Sequence, residues 1–238
     1  MTTIHLIRHG QASFGSDNYD QLSELGERQC QLLGQWWRDC DLPAHRIVLG
    51  GMHRHRQSAE AFCAGYGNPD LAQPAGWQFE PALDEFDHEQ ILKLAHPELA
   101  DPVQLAQLLS SSQNPRATFQ ALFSAGLARW TSGAHDADYR ESWPAFKFRI
   151  AALLARWVQV VQRQDRQHTL VFTSGGPISA VCQQVLSTPD SETLNLLTVL
   201  MNSGVSKMVV RDGRLQLVGL NSAAHLDSVA DRSLISYR

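Results

Sequence analysis

Thr2-Thr3-Ile4-His5-Leu6-Ile7-Arg8-His9-Gly10 decides how the rest of the chain is read. Residues 2–7 make a short apolar, β-branched run of the kind that forms a buried strand. It passes without a spacer into an arginine, a histidine and a glycine. Two later stretches repeat the pattern. Arg46–Leu49 ends at Gly50-Gly51 and leads into His53-Arg54-His55-Arg56. Thr169–Thr173 ends at Ser174-Gly175-Gly176. Helical spacing fills the gaps between them. Ser23 is a good N-cap for a helix over 24–39, with Leu25, Leu32 and Trp36 on one face. A helix over 54–65 follows the second strand, and another over 177–187 follows the third. Ser142 is a good N-cap for a long helix over 143–164. Pro144 fits its first turn, and Phe146, Ile150, Leu153, Trp157 and Val160 make its apolar stripe. Ser206–Arg211 and Leu215–Leu220 flank Asp212-Gly213, a hairpin signal. Residues 66–82 read as loop with one strand near Trp77–Glu80.

Strands alternating with helices predict a three-layer α/β/α sandwich with a mostly parallel central sheet. Residues 88–140 are rich in Gln, Ala, Leu, Ser and His with weak strand signals. They are expected to form a helical insert over the active site of a single domain spanning 1–238.

The bulk numbers exclude several classes. Of 238 residues, 43% are apolar and 18% charged, which is too apolar and too weakly charged for a disordered chain. A net charge of −4 argues against a nucleic-acid partner held through bulk charge. The longest apolar runs fall well short of the ~20 residues that span a bilayer, so no membrane partner is expected. The four cysteines, Cys30, Cys40, Cys63 and Cys182, are widely spaced and form no zinc-type pair. With no secretion signal at the start, they read as reduced thiols of a cytoplasmic protein. Ten histidines raise the question of metal, but His53 and His55 are two apart and no His-Glu-x-x-His stands in the chain. No metal and no cofactor are expected.

In an α/β sandwich, ligands bind beyond the carboxyl ends of the strands. Arg8 and Arg54 fall there and can clamp phosphate oxygens through forked, charge-assisted hydrogen bonds. Gly10 would let backbone N–H groups approach an anion. A neutral His9 could attack phosphorus to form a phosphohistidine. An acid from Asp84, Glu85 or Asp87 could protonate the leaving group.

These residues, in this order, resemble the histidine phosphatase superfamily, the phosphoglycerate-mutase-like group, and the resemblance covers most of the chain. Arg8-His9-Gly10 matches the signature of the nucleophilic histidine. Leu22-Ser23-Glu24-Leu25-Gly26-Glu27-Arg28-Gln29 is similar to the family's Leu-Thr-x-x-Gly-x-x-Gln helix start. Arg54-His55-Arg56-Gln57-Ser58-Ala59-Glu60 is similar to Arg-Ala-x-Gln-Thr-Ala-Glu, which implies that Arg54 is the second phosphate arginine. Leu83-Asp84-Glu85 matches Leu-x-Glu, which implies that Glu85 is the proton donor. Glu141-Ser142 with Arg149, and Asn221 with His225-Leu226, match later segments.

The chain also departs from that pattern. The family's second active-site histidine stands just before Gly-Gly, where this chain has Ser174. Losing a hydrogen bond to a charged group costs about 1.5–3 kcal/mol, or roughly ten- to a few-hundredfold in rate. His53 and His88 are the residues expected to compensate. Gln11-Ala12-Ser13-Phe14-Gly15 lacks the mutase loop's asparagine, and His88-Glu89 stands where mutases have Tyr-Gly. A phosphatase is therefore favoured over a mutase. A serine hydrolase is disfavoured because Phe172-Thr173-Ser174-Gly175-Gly176 is not a nucleophile elbow.

The expectation is a phosphomonoester phosphatase working through His9, with Arg8, Arg54 and Glu85 as its other catalytic residues. Gly10, Gln11, Ser174, Gly175, His53 and His88 are the expected substrate contacts. Activity is expected to be reduced by Ser174, with a weakly active or inactive phosphoryl-ligand binder as the alternative. A small phosphorylated substrate is expected, with phosphate, sulfate or vanadate taken in the same pocket. The oligomeric state, a dimer included, stays open.

Overall fold

The computed structural model describes residues 2–13, 20–161 and 167–237. Phe14 and Gly15 of the first loop, and 162–164 of the long helix, lie outside the described residues. Six strands form one sheet: β1 (Thr3–Arg8), β2 (Arg46–Leu49), β3 (Gln78–Phe79), β4 (His168–Thr173), β5 (Val205–Arg211) and β6 (Arg214–Ser222). Their order is β3-β2-β4-β1-β5-β6. The strands β3, β2, β4 and β1 run parallel, and β5 pairs antiparallel with both β1 and β6. The helices are α1 (Glu24–Asp39), α2 (His53–Tyr66), α3 (His88–Ala95), α4 (Pro102–Ser111), α5 (Pro115–Thr131), α6 (Trp143–Val161), α7 (Gly175–Leu186), α8 (Asp190–Val199) and the short α9 (Ala224–Asp227). The expected α/β architecture is present.

The chain divides into two compact units, Met1–Asp84 with Ile150–Arg238, and Glu85–Arg149. The second begins three residues before the expected insert and ends nine after it.

In the first unit, Ile7, Leu33, Trp37, Leu49, Phe62 and Phe172 form a core between the sheet and the α1/α2 layer. The pleat sends alternate side chains of β1 to opposite faces. His5 therefore meets Trp37 edge-on at 4.8 Å, while Arg8 leaves on the other face. Ser23 caps α1 as expected, its hydroxyl accepting from the Gly26 N–H at 3.1 Å. Of the expected stripe on α1, Leu32 is buried and Leu25 and Trp36 are half-buried, while the tryptophan fully buried in the core is the neighbouring Trp37. Two adjacent tryptophans fit the helical period almost equally well, and only the position of the sheet separates them. The helix α8 had no clear periodic signal. The expected strand near 77–80 shortens to β3, and α7 starts two residues early, at Gly175.

The second unit is helical with an aromatic core. Phe86, Trp130, Trp143 and Phe146 are buried against one another, with Phe86 and Trp130 at 4.9 Å and Trp130 and Trp143 at 5.1 Å. Trp130 donates its indole N–H to the Glu141 carbonyl at 2.9 Å. The Glu141 carboxylate takes both arms of Arg149, at 2.7 and 2.9 Å. Ser142 accepts from the Ala145 N–H at 3.4 Å, at the start of α6 where the sequence places a cap.

Candidate active site

β1 and β4 are in register, Arg8 opposite Thr173, so His9 and Ser174 leave the sheet side by side. The His9 N–H continues the ladder to the Thr173 carbonyl at 2.9 Å. His9 is 5% exposed. Its Nδ1 lies 2.7 Å from the Gly10 carbonyl oxygen, which can only accept, so the proton is assigned to Nδ1. The Nε2 of the neutral ring then carries the lone pair. Burial first, and then the charges of Arg54 and Arg8, hold its pKa well below the usual histidine range. A buried, neutral imidazole with a fixed tautomer and two guanidinium charges acting on it has the free lone pair and the cationic surroundings that attack on an anionic group requires.

Arg8 leaves the sheet past Gly175, where a Cβ would sit 3.6 Å from its Nε. Its Nη1 donates to the carbonyls of Leu200 and, at 2.8 Å, Tyr237. Arg54 is 3% exposed and donates from Nη1 to Asp20 at 2.9 Å. The same carboxylate accepts from the backbone N–H of His53 at 2.8 Å and of Arg54 at 3.4 Å. Asp20 thus caps α2, whose own N-cap residue, Met52, has no side chain that can do so. The sequence reading missed this role because Asp20 and His53 stand 33 positions apart.

The loop Arg8–Gln11 is held from several sides. Gly10 is required by packing: a Cβ there would lie 2.3 Å from the Gly26 carbonyl oxygen. The Gly10 N–H itself donates to the Ser58 hydroxyl at 3.0 Å. The Gln11 N–H donates to Gln29 at 2.9 Å, and its side-chain oxygen accepts from Ser23 at 3.0 Å, which latches the loop to α1. Asn202 and Ser203 were not singled out from sequence. The Asn202 amide donates to the His9 carbonyl at 3.1 Å, and the Ser203 N–H donates to the carbonyls of Arg8 and His9. Ser203 adopts a left-handed backbone conformation (φ 57°) and pairs through its hydroxyl with His225 Nε2 at 2.8 Å. Asn221, from the same C-terminal motif, accepts from the Met201 N–H at 2.8 Å. That motif therefore holds the loop which backs the nucleophile.

The two expected helper histidines stand at the starts of two helices. His53 is exposed on the first turn of α2. His88 is half-buried at the start of α3, in the second unit. The imidazole beside His9 is instead His55, fully buried, with ring centroids 5.9 Å apart. Its Nε2 lies 2.7 Å from Ser174 Oγ. A helical period would have put 53 and 55 on different faces of α2, and that was the signal available in the sequence.

Leu83 and Asp84 are anchored in the first unit. Thr173 donates its hydroxyl to the Leu83 carbonyl at 2.6 Å, and the Gly51 N–H donates to the Asp84 carboxylate. Glu85, the next residue, is half-buried, and its carboxylate accepts from the Phe86 N–H at 3.3 Å. Among the described residues no group of three His, Cys, Asp or Glu side chains is arranged to hold a metal ion. No helix among them is long and apolar enough to cross a membrane.

The six-stranded α/β sheet carries an arginine–histidine pair at the carboxyl end of β1, one of its central strands. The family model of the histidine phosphatase superfamily (branch 1) matches residues 4–223, and the chain belongs to that superfamily. Similar solved structures carry the same fold at low identity. A phosphoglycerate mutase from Bacillus anthracis matches with TM-score 0.63 and 15% identity, over 97% of each chain. An alpha-ribazole phosphatase from Shigella flexneri matches with TM-score 0.60 and 18% identity, over 93% of this chain and 96% of that one. A phosphoserine phosphatase from Entamoeba histolytica, solved with phosphoserine, matches with TM-score 0.56 and 15% identity, over 95% of this chain and 100% of that one. No curated protein matches.

Proposed function

We propose that the protein is a phosphatase that hydrolyses a small phosphomonoester through a phosphohistidine on His9. The observation that carries this reading is the fixed tautomer of a buried His9 beside Arg8 and Arg54. The His9 Nε2 lone pair attacks phosphorus as the P–O bond to the leaving group breaks. Arg8 and Arg54 hold the phosphoryl oxygens, and Glu85 gives its proton to the leaving oxygen. Water then attacks the phosphohistidine, its proton passes to the Glu85 carboxylate, and the N–P bond breaks. Glu85 is assigned by its place directly after the anchored Leu83-Asp84.

Gln11 and Gly175 line the path to the phosphoryl group in this reading, and phosphate, sulfate or vanadate would bind in the same place. Four unpaired thiols fit a cytoplasmic location. Hydrolysis needs only water as acceptor, so it is preferred to mutase chemistry.

The test is turnover of an aryl phosphate together with trapping of acid-labile phosphoprotein. Wild type is expected to do both and His9→Ala neither. A His9→Ala protein with wild-type turnover overturns the mechanism. Vanadate binding without turnover from pH 5 to 9 favours the alternative of a phosphoryl-ligand binding protein.

A further inference from the structure

We infer that the histidine partnering the nucleophile enters this site from α2, as His55, and that Ser174 is the small residue that makes room for it. The inference rests on the phosphatase reading above and deepens it, because it makes Ser174 part of a working pair.

Three observations carry it. The first is space. Both residues are fully buried, and Nε2 of His55 already lies 2.7 Å from Ser174 Oγ, so an imidazole built at 174 would overlap the one at 55. The room on the other side of the ring comes from Gly50, where a Cβ would lie 2.4 Å from His55 Nδ1.

The second is the way the serine hydroxyl is used. Ser174 is the N-cap residue of α7, and serine in that position ordinarily bonds the helix's first free N–H groups. Here the side chain makes no cap hydrogen bond and is turned to His55 instead. A helix start that forgoes its cap for one side-chain partner marks that pairing as the required one.

The third is proximity. The His55 ring stands 5.9 Å from that of His9, and Arg54 precedes it in α2. A single turn of helix therefore delivers a guanidinium and an imidazole to the nucleophile together.

His55 is a positioning residue. The 2.7 Å bond between its Nε2 and Ser174 Oγ holds the serine hydroxyl in one direction. His55 also packs against the His9 ring and fixes the ring's direction.

The experiment is a relocation series on an aryl phosphate: His55→Ala, Ser174→His, the two together, and His55→Gln, each checked by thermal melting. Vanadate affinity is measured in parallel, so that the series is read even where turnover is low. His55→Ala is expected to lower kcat by about ten- to a hundredfold with a smaller change in KM, as loss of one hydrogen bond to a charged group would. Ser174→His alone is expected to lower activity, because two imidazoles compete for one space. The double variant, with its imidazole at 174, is expected to recover most of the loss. His55→Gln keeps a hydrogen-bonding group for Oγ and is expected to lie between His55→Ala and wild type, which covers the case of an alanine variant that does not fold. Full kcat in His55→Ala, a gain from Ser174→His alone, or a folded double variant no better than His55→Ala would each overturn the inference. If His9→Ala is dead while His55→Ala is fully active, only the pairing fails. If both are fully active, the phosphatase reading fails with it.

Discussion

The ends of β1 and β4 leave the sheet side by side, yet they equip the site in opposite ways. β1 supplies its chemistry directly: Arg8 and His9 are consecutive in sequence and carry their own functional groups. β4 supplies a small hydroxyl and two glycines, and the imidazole beside it arrives from α2, 119 positions earlier in the chain. The difference teaches that a strand end can contribute by what it leaves out. Ser174 and Gly175 are small, and through that smallness His55 and the Arg8 side chain find their places.

The hardest blow to the β1 end is His9→Ala. It is expected to lower kcat/KM at least about a thousandfold, as removal of a covalent nucleophile does. Aryl phosphate kinetics check it.

A milder break falls on the β4 end without touching either member of the pair. Gly50→Ala puts a methyl group into the His55 ring, and its loss of turnover is expected to match that of His55→Ala, about ten- to a hundredfold. Combining Gly50→Ala with His55→Ala should then cost little more than either alone. Additive losses would show that Gly50 acts through something other than the ring.

Stability should sharpen the same contrast. His5 and His55 are held neutral down to about pH 3, and His225 to about 4, in each case first by burial. The unfolded chain binds those protons near 6.5, the ordinary histidine value. Between about pH 6.5 and 4 unfolding therefore takes up protons, and stability falls as pH falls. Each histidine contributes up to about 1.4 kcal/mol per pH unit in that window. Urea unfolding from pH 7 to 4 should show the slope, and His55→Gln should flatten it.

The smallest effect expected is Asn202→Ala. It removes the hydrogen bond to the His9 carbonyl and the one accepted from the Ser236 hydroxyl, and should cost about 2 kcal/mol in urea unfolding with a modest loss of kcat.

Arg8, His9 and Arg54 stood out in the sequence as candidates because each follows directly on a strand or helix signal. Local order also gave the Ser23 cap and the hairpin at Asp212-Gly213. What was illegible depended on distance along the chain. Gly10 was read for the room it leaves an anion, and its close packing against Gly26 was not foreseen. Asp20 reads as a loop acid, yet it caps α2. Trp36 and Trp37 are equivalent by period, and only the sheet selects Trp37.

By itself, then, the sequence determined the α/β class and the family and singled out His9 as the candidate nucleophile, since short apolar runs and the residues just after them are local signals. Which histidine stands beside His9 was decided by tertiary structure alone. His53 and His55 share one helical turn, and only the docking of α2 against β4 turns one to solvent and buries the other against Ser174.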